Sequence, residues 1–306
     1  MRKGGTGLPK SKRSKKVLES RTLILMALPA LAIYAFLYLY PALSNLSYAT
    51  TRWDGVTKAK FIGLHNFVNM VHNDDLLHSV IGNSLRFTFI VVICQTLFSL
   101  MFAIFLVKNT RTNIALRTIF FFPTILSSVS VGLIWTFLYD PNYGFINAFF
   151  KKIGLGSLAY DWLGSTASSL YAIAFAQIWF HTGQMMVIYI AGLQQIPAEL
   201  YEAAEVDGAT RWQQFKSVTW PMAMPTTAVV VAYTTIQSFR AFDLVYAMTQ
   251  GGPRNSSQLL VTLIYNTAFS SMRLGYASAE SIVLVIVVLV STYIQRRFLR
   301  INMGEK

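Results

Sequence analysis

Apolar residues in this chain are gathered into long runs that contain no charged side chain. Such windows extend over residues 22–51, 87–107, 118–139, 162–198 and 217–239. A helix needs about 20 apolar residues to cross a bilayer core of about 30 Å. Only helices and closed barrels satisfy the backbone hydrogen bonds in lipid, so each window predicts one membrane-spanning helix.

A sixth window, residues 281–295, is shorter and is bounded by Glu280 and Arg296. It reaches spanning length when it is extended to residues 276–298, because charged groups at helix ends can snorkel to the interface. Residues 259–272 are also apolar but shorter, with polar residues inside, and predict an interfacial or external helix. The predicted spans are residues 22–44, 80–107, 114–139, 168–193, 225–248 and 277–298.

Basic residues give the topology. The first 21 residues carry eight of the 26 Lys and Arg. With the N-terminus inside, 17 of the 26 fall in cytoplasmic segments, as the positive-inside rule requires. Both the basic tail, residues 1–21, and the C-terminal tail, residues 301–306, are therefore predicted to be cytoplasmic. A cleaved secretory signal is the alternative, but its apolar region is only about 7 to 15 residues long.

Composition supports lipid as the solvent of this fold. Hydrophobic residues make up 54% of the 306, and charged residues 13%, about half of the usual share in soluble proteins. The prediction is an all-α integral membrane protein. The net charge of +13 is explained by topology, so no nucleic-acid partner is expected. A single cysteine, Cys94, excludes an intrachain disulfide and a cysteine-based metal site.

The predicted cytoplasmic segment between the fourth and fifth spans, residues 194–225, carries dense helix punctuation. Pro197 suits the first turn of a helix, and Gly208 suits the left-handed position that ends one. Thr210 followed by Gln213 forms a capping box for a second helix, which is expected to end before Pro221. Two short helices joined at a glycine are predicted. Amphipathic helices lying on lipid headgroups are the alternative, although small residues within the first helix would allow another surface to approach closely.

This segment resembles the EAA loop of binding-protein-dependent ABC importer permeases. The run EAAEVDGA at residues 202–209, followed by Phe215, Pro221 and Pro225, carries the resemblance. Trp220 stands where the family usually has leucine. The resemblance implies that the loop couples the permease to an ATPase, through Glu202, Ala203, Ala204, Asp207 and Gly208.

The run FRAFDLVYAMTQGGP at residues 239–253 resembles the carbohydrate type within this family. The resemblance implies a type I importer permease domain over residues 22–300, in a bacterial cytoplasmic membrane, for a sugar or related small polar solute. It also implies a second permease subunit, two cytoplasmic ATP-binding subunits and an extracytoplasmic solute-binding protein. The outer loops, residues 53–78 and 251–276, would dock that binding protein.

No catalytic chemistry is recognisable in the chain. A phosphate-binding loop of the form G-x-x-x-x-G-K-[ST] is absent, so ATP and magnesium are expected to bind a partner ATPase. The four histidines lack the helical spacing of metal ligands, although His72 and His78 lie near two aspartates in a predicted outer loop. No metal site is predicted.

Polar residues inside spans are costly in lipid and often face a bundle interior or a cavity. Two stripes occur at helical spacing and are candidates for a solute path: Gln177, His181 and Gln184 in the fourth span, and Gln237, Arg240 and Asp243 in the fifth. Interhelical hydrogen bonding, with Arg240 paired to Asp243, is the alternative. Aromatic residues around Trp135 and Tyr139 are interpreted as an interfacial belt.

A secondary transporter or channel driven by an ion gradient is the competing function. Such proteins often carry inverted repeats and intramembrane acids. The sequence has no obvious repeat, and no acidic residue lies near the middle of a predicted span. Both observations favour the importer permease.

Overall fold

The computed structural model describes residues 26–302 and is almost entirely helical. Two short strands form an antiparallel hairpin in which Thr51 pairs with Phe61. The elements are α1 (Met26–Tyr48), β1 (Thr51–Arg52), β2 (Lys60–Phe61), α2 (His65–His72), α3 (Asp75–Leu106), α4 (Arg111–Phe121), α5 (Ser128–Leu138), α6 (Phe145–Lys152), α7 (Ser169–Leu193), α8 (Ala198–Val206), α9 (Arg211–Gln214), α10 (Trp220–Phe239), α11 (Phe242–Thr249), α12 (Leu260–Tyr265) and α13 (Leu274–Asn302).

Four of these helices, α1, α3, α7 and α13, are each long and apolar enough to cross a membrane. They coincide with the predicted first, second, fourth and sixth spans, although residues 22–25 of the first lie outside the described part of the chain. Helices α4 and α5 form a fifth candidate if the bent pair is counted as one span. The basic tail, residues 1–21, and residues 303–306 also lie outside the described residues.

The prediction of one continuous helix over residues 114–139 is wrong. Helix α4 passes into a 3-10 turn at Phe122–Ile125, and α5 leaves it at an angle of 99°. Pro123 lacks the N–H that an α-helix needs. Leu126 and Ser127, the two residues between the 3-10 turn and α5, have an extended backbone. The hydroxyl of Thr124 donates to the Phe180 carbonyl oxygen of α7 at 3.1 Å, which fixes the bend against the bundle.

The prediction that the second loop helix ends before Pro221 is wrong, and residues 225–248 do not form one continuous helix. Helix α9 continues through a π turn, Phe215–Thr219, into α10 without a break. The Trp220 N–H donates to the Phe215 carbonyl, five residues earlier, and this wider turn accommodates Pro221 in the first turn of α10. The helix ends instead at Arg240, and α11 starts afresh.

The segment predicted as an interfacial or external helix, residues 259–272, packs into the bundle over residues 259–268 and is exposed over residues 269–272. Helix α12 and the following π turn reach only Ser270, too short to span. Leu260 is 1% exposed, and its N–H donates to Ser84 Oγ of α3 at 2.9 Å. Asn83 donates to the Asn255 carbonyl at 3.1 Å, so two polar residues of α3 hold the loop before α12.

Contacts between loops define the two ends of the bundle. At the hairpin end, the end that carries β1 and β2, Tyr276 at the start of α13 donates to Asp74 before α3. At the opposite end, which we call the α8 end, Gln194 donates to the Val107 carbonyl at 3.1 Å. Helices α3 and α7 pair along the centre, where Ser99 Oγ donates to the Thr182 carbonyl at 3.0 Å.

Candidate functional site

The first predicted short helix is present at the α8 end, and the second begins after the glycine as predicted but continues into α10. Pro197, with an extended backbone, is the N-cap of α8. Glu199 lies in the first turn, where a negative charge interacts favourably with the helix dipole and stabilises the helix. At the other end Gly208 adopts φ +74°, and its N–H donates to the Glu205 carbonyl at 3.0 Å. Glycine reaches this left-handed conformation without the penalty of a Cβ, so it ends α8 and turns the chain.

The predicted capping box at Thr210 is confirmed. The Gln213 N–H donates to Thr210 Oγ1 at 3.4 Å, and the Thr210 N–H donates to Gln213 Oε1 at 2.7 Å. Tyr201 of α8 and Thr219 of the π turn share a hydroxyl hydrogen bond of 3.0 Å. The two helical segments are therefore hydrogen-bonded to each other as well as joined at the glycine.

The outer surface of this pair combines acidic and apolar side chains. Val206 is 89% exposed and Trp212 is 69% exposed, although neither belongs to an apolar spanning window. Four of the five residues predicted for coupling (Glu202, Ala203, Asp207 and Gly208) are exposed, and Ala204 is half-buried. Exposed apolar groups rimmed by charge mark surfaces that bind other proteins.

The two predicted polar stripes converge on one cavity of about 440 Å³. Five of the six residues line it: Gln177, His181, Gln237, Arg240 and Asp243. The sixth, Gln184, donates to the hydroxyl of Tyr233 at 3.2 Å, and Tyr233 is itself a lining residue. This volume falls within the range of about 300–1,000 Å³ that is usual for small-molecule sites.

Both helix breaks border this cavity. Ser128, the first residue of α5, and Phe242, the first residue of α11, line it. Two helix N-termini therefore lie at its wall, as in transporters whose broken helices surround a solute. The sequence pattern did not predict Ser128, Tyr233 and Phe242 as lining residues. The dipeptide of serines at 127–128, a helix-start signal inside an apolar run, could have indicated the first of them.

The cavity offers several hydrogen-bonding groups and balanced charge. Gln237 Oε1 is buried without a hydrogen-bond partner in the described residues. His181 Nδ1 donates weakly to the Gln177 carbonyl of its own helix, at 3.4 Å. Arg240 and Asp243 are both exposed, and within residues 26–302 no ion pair joins them. A polar solute with donors and acceptors fits this set.

Comparison with known proteins agrees with this architecture. Residues 87–300 match the model of the family "Binding-protein-dependent transport system inner membrane component". A probable ABC transporter permease protein of Bacillus subtilis is 33% identical over 284 residues, which cover 92% of this chain and 97% of the relative. The trehalose/maltose transport system permease protein of Thermococcus litoralis is 30% identical, covering 91% of this chain and 94% of its own.

Solved structures show the same fold. A bacterial ABC transporter involved in the import of the acidic polysaccharide alginate matches with a TM-score of 0.78 and 25% identity, over 94% of this chain and 99% of the matched chain. The family match covers most of the sequence, and the Bacillus relative is covered almost completely. This multi-pass membrane protein therefore belongs to the binding-protein-dependent transport system inner membrane components and is a non-catalytic permease subunit of an ABC importer.

Proposed function

We propose that this permease moves a sugar or a related small polar solute through the cavity between α5, α7, α10 and α11. The observation that carries this proposal is the convergence of Gln177, His181, Gln237, Arg240 and Asp243 on one wall. Relatives are named for trehalose and maltose, for starch degradation products and for sn-glycerol-3-phosphate. Amide, imidazole and charged groups supply the donors and acceptors that polyhydroxylated solutes need.

We propose six spans with both termini in the cytoplasm of a bacterial cell, in the cytoplasmic membrane. The spans would be α1, α3, the bent pair α4 and α5, α7, the broken pair α10 and α11, and α13. The sequence supports this orientation, because 17 of the 26 Lys and Arg fall in the segments predicted to be cytoplasmic. The α8 end is then cytoplasmic, and the hairpin end faces outward.

Energy would come from a partner. Glu202, Ala203, Ala204, Asp207 and Gly208 would form the contact with a cytoplasmic ATPase that binds ATP and magnesium. Val206 and Trp212 support this role, because their exposed apolar surface lies on the loop rather than on a spanning helix. Burial in an interface would remove this surface from water.

The other partners would complete the pore. Helix α1 contacts α13 through Asn45 but has no buried residue in its apolar window, which supports packing against lipid or a second permease subunit. A solute-binding protein would dock on the hairpin end, where residues 53–78 and 251–276 lie. One matched structure is a transporter in complex with a pentasaccharide-bound periplasmic protein.

The test uses the assembled complex in proteoliposomes, with its binding protein and ATPase subunits. Uptake of radiolabelled maltose, trehalose, glycerol 3-phosphate and alginate oligosaccharides would be measured for wild type and for Gln237→Leu. Gln295→Leu is the matched control, because this glutamine bonds Thr235 and does not line the cavity.

We expect Gln237→Leu to reduce uptake of the transported solute about tenfold or more, since one lost hydrogen bond in a desolvated site costs about 1–3 kcal/mol. ATP hydrolysis in the absence of the binding protein should stay within twofold of wild type. Equal uptake by Gln237→Leu and Gln295→Leu, or uptake of none of the four solutes by wild type, would contradict the proposal.

A further inference from the structure

A second cavity lies at the hairpin end, between α5, α6 and α7. Its volume is about 800 Å³, larger than that of the polar cavity. Nine of its lining residues are aromatic, among them Trp135, Phe149, Phe175 and Trp179. Ser168 is the one lining residue that is neither aromatic nor aliphatic. An aromatic and aliphatic lining of this kind favours the binding of a hydrocarbon group over a polar one.

Three of the polar side chains that line this cavity are already hydrogen-bonded to the protein. The Tyr139 hydroxyl donates to the Ala172 carbonyl at 3.1 Å. Ser168 Oγ donates to the Trp162 carbonyl at 2.8 Å, and the Trp162 indole N–H donates to Asn147 at 2.9 Å. A sugar would need free donors and acceptors here, and few remain, whereas an acyl chain needs none.

One polar atom at this cavity has no partner. Trp135 is 6% exposed, and its indole N–H makes no hydrogen bond within the described residues. Its ring packs edge-on against Phe175, with 5.4 Å between centroids. The indole N–H is closed off from the cavity space, so Trp135 contributes the apolar surface of its ring to the lining.

Helix α6 gives the cavity an exposed apolar rim. Phe145 is 67% exposed and Phe149 is 49% exposed, and the helix ends in Lys151 and Lys152. Asn147 locks the helix in place: its amide donates to the Tyr160 carbonyl at 2.9 Å and it accepts from the Tyr160 N–H at 3.2 Å. A helix with an apolar face and terminal lysines lies at the interface of a bilayer.

We propose that the aromatic cavity binds an anionic phospholipid. An acyl chain would occupy the space among Trp135, Phe149 and Phe175, and the phosphate would lie against Lys151 and Lys152. The charge at the end of α6 selects an anionic headgroup over a zwitterionic one. This site is separate from the solute cavity and from the α8 end, and the proposal depends only on the protein being embedded in a membrane.

The test measures lipid retained by the purified complex in native mass spectrometry, titrated with phosphatidylglycerol or phosphatidylcholine. The variant Lys151→Gln/Lys152→Gln removes the charge, and Lys58→Gln/Lys60→Gln is the matched control. The control lysines also lie at the hairpin end but line a different cavity. Each basic residue near an anionic lipid contributes about fivefold, so the first variant should bind phosphatidylglycerol about 25-fold more weakly.

A second variant fills the space without touching the charge. Ala167 lines the cavity at its exposed rim, so Ala167→Trp should displace the acyl chain without disturbing the core. We expect it to lose phosphatidylglycerol as well. The proposal is overturned if both double variants behave alike, if wild type retains both lipids equally, or if cryo-electron microscopy of the complex in lipid nanodiscs shows a partner helix in the cavity.

Discussion

Gly208 allows a quantitative test of the α8 end, because its substitution changes the backbone alone. Its φ is +74°, and no atom lies within 4 Å of the position that a Cβ would take. An L-residue in the left-handed region costs about 1–2 kcal/mol, and a β-branched residue costs more. Asparagine tolerates this conformation better than other residues with a side chain.

The conformational penalty at position 208 should weaken binding of the proposed ATPase subunit. If docking requires the turn at Gly208 as the structure has it, a strained variant must recover the conformation on binding. A penalty of about 1–2 kcal/mol then weakens ATPase binding by about 5–30-fold. We expect this loss for Gly208→Ala, a larger one for Gly208→Val, and a change of only a few-fold for Gly208→Asn.

The measurement is the dissociation constant between the purified permease and its ATPase subunit in nanodiscs. Gly63→Ala is the matched control, because Gly63 has φ +60° and also has no atom within 4 Å of an added Cβ. It lies beside the hairpin, far from α8. The reasoning would be refuted if Gly208→Val bound the ATPase as tightly as wild type, or if Gly63→Ala weakened binding equally.

Three further predictions concern the fold. Gly183→Ala would place a Cβ on the Phe120 carbonyl oxygen, so thermal unfolding in detergent should show a loss of about 1–3 kcal/mol, whereas Gly82→Ala, with nothing within 4 Å, should be tolerated. Asn83→Ala leaves the loop before α12 without two amide hydrogen bonds, so hydrogen exchange there should rise. The backbone N–H groups of Thr57 and Val56 donate to the Asp54 carboxylate and lower its pKa. Hydrogen exchange of these amides should therefore stay slow above pH 3.8, the ordinary pKa, and become faster as the pH falls through the lowered pKa.

Run length alone predicted four of the spanning helices, because a charge-free stretch of about 20 residues has few alternatives in lipid. The bend between α4 and α5 could not be predicted in this way. The run over residues 118–139 is apolar throughout, and its direction changes where Thr124 bonds the Phe180 carbonyl of another helix. That contact is tertiary and leaves no trace in hydropathy.

The local signals at the α8 end were read correctly where they act within a few residues. The capping box at Thr210 and the glycine turn at 208 are both present. The prediction from Pro221 was wrong, because a proline ends a helix only where the helix has regular α-helical hydrogen bonding. The π turn ahead of it shifts the hydrogen-bond register by one residue, and the helix continues.

The stripe of Gln237, Arg240 and Asp243 shows how a residue set can be predicted for an incomplete reason. Helical spacing suggested one face of one helix, yet the helix ends at Arg240 and Asp243 belongs to the first turn of α11. The three side chains still line one cavity, although they lie on both sides of the break. Polarity located the site, and the break determined its geometry.

The unbroken helix from Arg211 to Phe239 gives the proposed coupling a physical route. Its 29 residues would extend about 44 Å at 1.5 Å per residue, from the turn at Gly208 to the cavity wall at Gln237. Had the chain broken at Pro221, movement of α8 would be absorbed at the joint. Because the π turn keeps the helix continuous, a displacement of the α8 end on binding the proposed ATPase would tilt the helix that carries Gln237 and precedes Arg240. Coupling between distant sites requires an element that has two arrangements and whose equilibrium is shifted by both sites. This helix fulfils the geometric requirement, because it reaches from the α8 end to the cavity.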